Sequence, residues 1–372
     1  MQQLAQSWLV YEISHSPELL ALDTFLGEVP IFLFSLLGGV VADRQDRRKL
    51  LLASQLIQLS CAFGLASLLF ADMVQVWHIL TISFIVGCAQ SFGGPAYQAL
   101  VPSLVAKEDL PNAIALNSIQ FNLARVIGPV LGGLAMANFG AAWCFTLNGV
   151  SYIAVIASLL ALPKRLPIIP KNESVFDSLK QGLNFVRTRE TMVSLIALGF
   201  LMTFFGLSVL TFLPVVARDI LHLDANGYSQ LMSISGVGSV AGALIVAGLG
   251  NVRRKGGIAM MLLIVLGLLN VAFALSTTFW ISCVLMFFSG ACLIAVFSLV
   301  TSLVQLRTED HMRGRVMSVY NVFFRGGRPF GSLLTGQMIS YASASTALAI
   351  NGALLAALGG WFLLVQRKLA RL

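Results

Sequence analysis

Eleven runs of about twenty apolar residues, broken only by short charged or Gly/Pro-containing turns, leave few folds open to this chain. They fall near residues 19–41, 50–71, 76–99, 113–138, 142–162, 191–217, 226–250, 257–277, 279–305, 314–340 and 344–365. A helix rises about 1.5 Å per residue, so twenty residues cross the roughly 30 Å hydrocarbon core of a bilayer. Runs of this length without two-residue alternation exclude an outer-membrane barrel. The chain is 57% hydrophobic and 11% charged, against about 45–50% and about 25% in soluble domains. We read an all-α integral membrane protein with no soluble domain. The opening piece, MQQLAQSWLVYEI, supplies only about 20 Å of helix, too short to cross, and is expected to be a first span truncated to about half or misassigned at its start.

Alternate turns carry nearly all of the 24 Lys and Arg. One side holds the clusters at 44–49, 164–189, 253–255, 307–315 and 367–371; the other holds only Arg218. By the positive-inside rule the basic side is cytoplasmic and the C-terminus lies there. The net charge of +8 is therefore topological, and nucleic acid is not a partner. The five cysteines lie within apolar runs without Cys-x-x-Cys spacing, and the four histidines lie at span ends with no acid or Cys at ligand spacing. Neither a metal nor a cofactor is expected. No nucleophile, base and orienting acid share one depth, and no phosphate-binding loop exists, so neither an enzyme nor an ATP-driven pump is indicated.

The turn between the second and third spans reads GGVVADRQDRRKL, residues 38–50. Asp43 ends a helix, where the dipole is already negative, so it needs a partner. Arg47 and Arg48 are candidates, and so is another helix N-terminus; Arg44 adds to the cluster. Gly38 and Gly39 remove side chains where a neighbouring helix can press close. A plain cytoplasmic basic turn with incidental acids is the simpler reading.

Several charges sit within spans. Glu28 lies about nine residues into the second span, some 14 Å deep, and Asp23 lies nearer the outer interface. Arg125 occupies the middle of the fifth span, and Arg325 and Arg328 the eleventh. An intramembrane ionisable group is expensive and points to function by default; a structural ion pair is the other reading. Arginine cannot shed its charge, so it needs an acid, carbonyls, water or an anionic ligand. The fourth span ends in AQSFGGPAYQALVPSLV, where paired glycines and two prolines are expected to break helix regularity. Gly128, Pro129, Gly132 and Gly133 follow Arg125, the glycines permitting close contact and Pro129 bending the helix.

The middle of the chain, 163–189, reads as a linker: three prolines, then an amphipathic helix on the cytoplasmic interface with Leu179, Leu183 and Val186 on one face. The flanking halves, 1–162 and 190–372, repeat. Pro129 and Pro329 are 200 residues apart, as are Arg125 and Arg325, while Asn122 and Asn321 are 199 apart. A parallel repeat of six spans implies two bundles related by an axis along the membrane normal, with substrate between them.

The turn at 38–50 resembles the loop signature of the major facilitator superfamily. LAQSWLVYEISHSPELLAL, PAYQALVPSLV, NAIALNSIQFNLARVIGPVLGG and WCFTLNGVSYIAVIASLLAL are similar to its branch of enterobactin exporters and macrolide efflux proteins, and residues 128–133 resemble an antiporter motif of the superfamily. The resemblance implies twelve helices in two parallel six-helix bundles, with spans 1, 4, 7 and 10 around the cavity, 2, 5, 8 and 11 between the halves, and 3, 6, 9 and 12 outside. It further implies that Asp43 caps the eleventh span, that the arginines latch the closed state, and that Glu28 meets Arg325 or Arg328, a pair whose separation would let the acid take a proton. The Arg that many proton-coupled members carry in the fourth span has no counterpart here.

These readings converge on a secondary transporter, a monomer in a bacterial inner membrane, exporting a small hydrophobic or amphipathic molecule, drug-like or siderophore-like, against proton entry. A solute importer of the same fold and a non-transporting membrane scaffold are the alternatives.

Overall fold

The computed structural model of the chain describes residues 1–106, 108–162, 175–249, 254–309 and 312–366. The prolines of the linker and the turn at 250–253 lie outside them. The helices are α1 (Gln2–Ser14), α2 (Pro17–Arg44), α3 (Arg47–Phe70), α4 (Val76–Leu100), α5 (Leu110–Phe139), α6 (Ala141–Ala161), α7 (Val175–Arg187), α8 (Glu190–Leu201), α9 (Ser208–Thr211), α10 (Leu213–Val215), α11 (Ala225–Leu249), α12 (Lys255–Leu275), α13 (Phe279–Leu306), α14 (Arg313–Tyr341) and α15 (Ala344–Val365). Nine helical stretches among the described residues are long and apolar enough to cross a membrane. α5 and α14, at 30 and 29 residues, are as long, and α14 is the more polar of the two, with arginines at 313, 315, 325 and 328.

The expected 191–217 span is not one regular helix. After α8 the backbone widens into a π-turn over Met202–Gly206, resumes as α9 and α10, and widens again over Val216–Ile220. Pro214 lies in this stretch and cannot donate an amide hydrogen bond. The fourth span behaves in the opposite way. Gly93, Gly94 and Pro95 do not break the helix: α4 continues to Leu100 and only then tightens into a 3-10 turn, Val101–Ser103. Gly93 is a packing position, since a Cβ there would meet the Ser54 side chain of α3.

The chain divides into two compact units, residues 1–15 with 22–175, and residues 16–21 with 176–372. In the first, α3 packs on α4 and α6, α1 touches α4, α5 and α6, and α5 touches α6. In the second, α12 packs on α13 and α15, the broken span from α8 onward touches α13, α14 and α15, and α14 touches α15. The same contact scheme thus occurs twice, as the repeat in the sequence requires. Backbone detail repeats too. His15 and His222, each in the turn after the first span of its unit, have φ of 50° and 51°. A Cβ on Gly38 of α2 would fall on the Ser91 carbonyl of α4, and one on Gly242 of α11 on the Ala291 carbonyl of α13.

The second unit has a continuous apolar core running through Met192, Leu195, Met260, Leu263, Val296, Leu303 and Tyr320. α7 docks on it: Val186 is 5% exposed, Leu179 and Leu183 pack against the same cluster, and a Cβ on Gly182 would lie 2.6 Å from the Arg315 carbonyl. The described apolar residues of α7 thus pack against the core of the second unit. Large apolar side chains cover the outside of both units, as a lipid-facing surface demands. Trp77, Trp143 and Trp280 stand 58%, 45% and 75% exposed at the helix ends opposite the basic turns, the interfacial placement typical of Trp.

Candidate functional site

The α2–α3 turn is built on helix ends. Asp46 caps α3, its Oδ1 accepting from the Arg48 and Lys49 amides at 3.0 and 3.3 Å. The turn places two guanidiniums beneath the C-termini of neighbouring helices, where carbonyls lack intrahelical partners and the dipole is negative. Arg47 donates to the carbonyls of Ala42 and Ala99 at 3.4 and 3.1 Å. Arg48, 8% exposed, donates to those of Leu159 and Leu160 at 2.6 and 2.7 Å. α2, α3, α4 and α6 are joined by these bonds over a small apolar cluster of Ala42, Leu51, Ala96, Leu100 and Leu159. Arg44 is exposed. The Asp43 side chain lies outside the described residues. Of the two glycines Gly38 makes the close approach; nothing lies within 4 Å of a Cβ on Gly39.

Asp23, six residues into α2, is enclosed by protein. It is 6% exposed, inside the first unit, where Oδ1 accepts from Gln6 of α1 at 2.9 Å and from the Ser83 hydroxyl of α4. Gln6 also donates to Ser83 at 2.6 Å, and Ser83 lies 3.0 Å from the Ile79 carbonyl. Nothing in the sequence singles out Gln6 and Ser83, because three different helices bring them to Asp23. A second polar cluster ties Gln58 to Gln90 and Tyr152 at 2.9 and 3.0 Å. The second unit has a counterpart between the corresponding helices, Asn270 accepting from Ser289 at 2.8 Å. Glu28 is half-buried within the first unit.

In α5, Gly132 and Gly133 are buried, and a Cβ on Gly132 would lie 3.1 Å from the Met1 Cα of the first span. Gly128 also faces Met1. The same pair recurs 199 residues later as Gly327 and Gly331 in α14, where a Cβ would strike Thr203 and the Phe204 carbonyl of the broken span. The glycines of 128–133 are thus one copy of a fifth-span-on-first-span contact made in both units. α5 and α14 both run through their prolines, Pro129 and Pro329. The Arg125 side chain lies outside the described residues. Arg328 is half-buried, near enough to the buried phenol of Tyr228 for its charge to act there, whereas Arg325 is exposed.

The family model for transmembrane secretion effectors matches residues 1–371. The chain belongs to this family, within the major facilitator superfamily. Curated members of similar sequence are the enterobactin exporter EntS of Salmonella typhi and that of Shigella boydii serotype 4, each 28% identical over 364 residues, 96% of this chain and 86% of the relative. Among solved structures, a mutant of the nucleoside transporter NupG superposes with a TM-score of 0.79 at 16% identity, covering 98% of this chain and 95% of that one. A bacterial homolog of the human lysosomal transporter Spinster, inward-facing and occupied, gives 0.71 at 14% identity over 99% and 93%. These likenesses establish the major facilitator fold. This transmembrane secretion effector is a multi-pass membrane transporter and not an enzyme.

Proposed function

We propose that this transporter is a secondary exporter, moving a small hydrophobic or amphipathic molecule outward across a bacterial inner membrane by alternating access. The match to enterobactin exporters along 96% of the chain carries the direction, and it makes enterobactin the first molecule to test. Proton entry drives the cycle, with Glu28 and the enclosed Asp23 as the proton-carrying groups and Arg125 balancing charge in the fifth span. The α2–α3 turn, Asp43 included, acts as the cytoplasmic gate element. The protein works as a monomer in contact with lipid, and its C-terminus lies in the cytoplasm.

The test is transport in proteoliposomes under an imposed pH gradient. Export coupled to proton entry requires substrate movement that collapses with the gradient, that stops in Glu28→Gln or Asp23→Asn, and that persists as gradient-independent exchange in the same variants. Transport indifferent to the gradient and to both substitutions would rule out the coupling, and movement with the proton would make the protein an importer.

A further inference from the structure

α14 carries a polar stripe along its cytoplasmic half. Ser318, Asn321, Arg325 and Arg328 follow one another at spacings of three, four and three, which places them on one helical face. Phe323 and Phe330, 42% and 43% exposed, project to the other side. Arg325 lies twelve residues from the start of α14, about 18 Å along its axis. That depth is beyond the range over which basic side chains at span ends reach the interface. It is nevertheless exposed, as is Asn321. Neither has a hydrogen bond or ion pair with any described residue. Ser318 turns its hydroxyl back to the Gly314 carbonyl at 2.9 Å and leaves the face to its neighbours.

A guanidinium keeps its charge under all conditions a protein meets. One that is exposed at mid-membrane, with no partner among the described residues, faces water or a counter-anion, because hydrocarbon would impose a prohibitive cost. Arg325 offers a planar fork that suits two oxygens of a carboxylate, phosphate, sulfonate or ionised phenol. Asn321, one turn earlier, adds an amide that can donate to the same group. Lipid headgroups do not reach this depth.

We infer that the Asn321 and Arg325 face of α14 lines an aqueous passage and recognises an anionic group, so that the molecule carried is an amphipathic anion. This rests on the transporter reading above and narrows its substrate class. Within the stripe Arg325 supplies charge and fork, and Asn321 fixes the orientation of the bound group. Arg328 raises the local positive potential from its half-buried place beside Tyr228.

Two measurements test this without requiring transport. The full chain is placed in nanodiscs of phosphatidylcholine, and binding of fluorescein, an amphipathic anion, is compared with that of rhodamine 6G, a cation of the same ring system. Arg325→Gln should weaken fluorescein binding by at least about tenfold, the loss expected for a charge-assisted contact, and leave rhodamine 6G unchanged; Arg325→Lys should retain part of it. Equal fluorescein binding by Arg325→Gln, or none by the unaltered chain, overturns the proposal. So does displacement of fluorescein when phosphatidylglycerol is added to the discs, which would make lipid the occupant. Hydration is read separately, with a charged methanethiosulfonate reagent that should modify Arg325→Cys much faster than Phe323→Cys, the unaltered chain serving as blank. Equal rates at the two positions contradict an aqueous face. Arg325-dependent fluorescein binding supports the anion face even if enterobactin fails to move in the transport assay, so the two readings fail separately.

Discussion

The guanidinium of Arg48 donates to the carbonyl of Leu159 at 2.6 Å, so the turn after α2 is fastened to the last turn of α6, 111 residues away in sequence. This bond and its companion to Leu160 join a fixed positive charge to the negative end of a helix. Hydrogen bonds to charged groups contribute about 1.5–3 kcal/mol each, and Arg48 is buried. Arg48→Ala should therefore lower stability by about 2–3 kcal/mol. Arg48→Lys should recover less than half, because an ammonium lacks the fork that spans two carbonyls. Chemical unfolding of the purified protein in mixed micelles measures both.

The two glycines before this turn should respond in opposite ways. A Cβ on Gly38 meets the backbone carbonyl of Ser91, which cannot move without shifting α4, and overpacking of this kind costs about 1–3 kcal/mol. Gly39 has open space, and Ala is the better helix former by about 1 kcal/mol. Thermal unfolding should place Gly38→Ala well below the unaltered chain and Gly39→Ala at or above it.

Asp23 tests how far a buried acceptor matters to the fold. Asp23→Asn keeps an oxygen for Gln6 and should unfold close to the unaltered chain. Asp23→Leu removes the acceptor. Ser83 can then turn fully to the Ile79 carbonyl 3.0 Å away, which leaves the Gln6 amide one acceptor short and a loss of about 1–2 kcal/mol. Chemical unfolding of the two variants side by side distinguishes the oxygen from the charge.

Arg189 and Glu309 pair at 3.0 Å with side chains 42% and 57% exposed, and the guanidinium also covers the Phe185 ring at 3.5 Å. Exposed ion pairs contribute about 0–1 kcal/mol, and exposed cation–π contacts about 0.5–1 kcal/mol. Glu309→Gln should cost less than about 0.5 kcal/mol, and Arg189→Ala about 1 kcal/mol, since only the second loses the ring contact. Thermal unfolding at low and high salt checks this, with salt reducing the difference between Glu309→Gln and the unaltered chain.

The membrane spans were legible because apolar length and charge at turns are local properties of the chain. The repeat was legible through Pro129 and Pro329. Gly327 and Gly331 also repeat Gly128 and Gly132 in the sequence, but the arginine at 328 interrupts the second copy and hides it. Asp46 is legible as a helix cap, an acid immediately before a new helix, yet Asp43, three residues earlier and at the wrong end of the helix dipole, is the more conspicuous of the two. The partners of Asp23 could not be read, since Gln6 and Ser83 reach it only when α1, α2 and α4 are packed. Nor could Gly38 be told from Gly39: which of two adjacent glycines faces a neighbour depends on the rotation of α2, and an apolar run does not specify rotation.

The two widened turns at 202–206 and 216–220 hold a spare residue apiece, since an i to i+5 turn contains one more than an α turn. A residue beyond such a turn therefore takes the bearing that its predecessor would have in an unbroken helix. Removing one residue from Met202–Gly206 would close the bulge into ordinary helix and leave Ser208 and Thr211 near their present bearings, whereas removing one from the regular helix of α8 would turn them by about 100°. The seventh span thus has two places, 202–206 and 216–220, where the chain can lose a residue without re-aiming the side chains that follow.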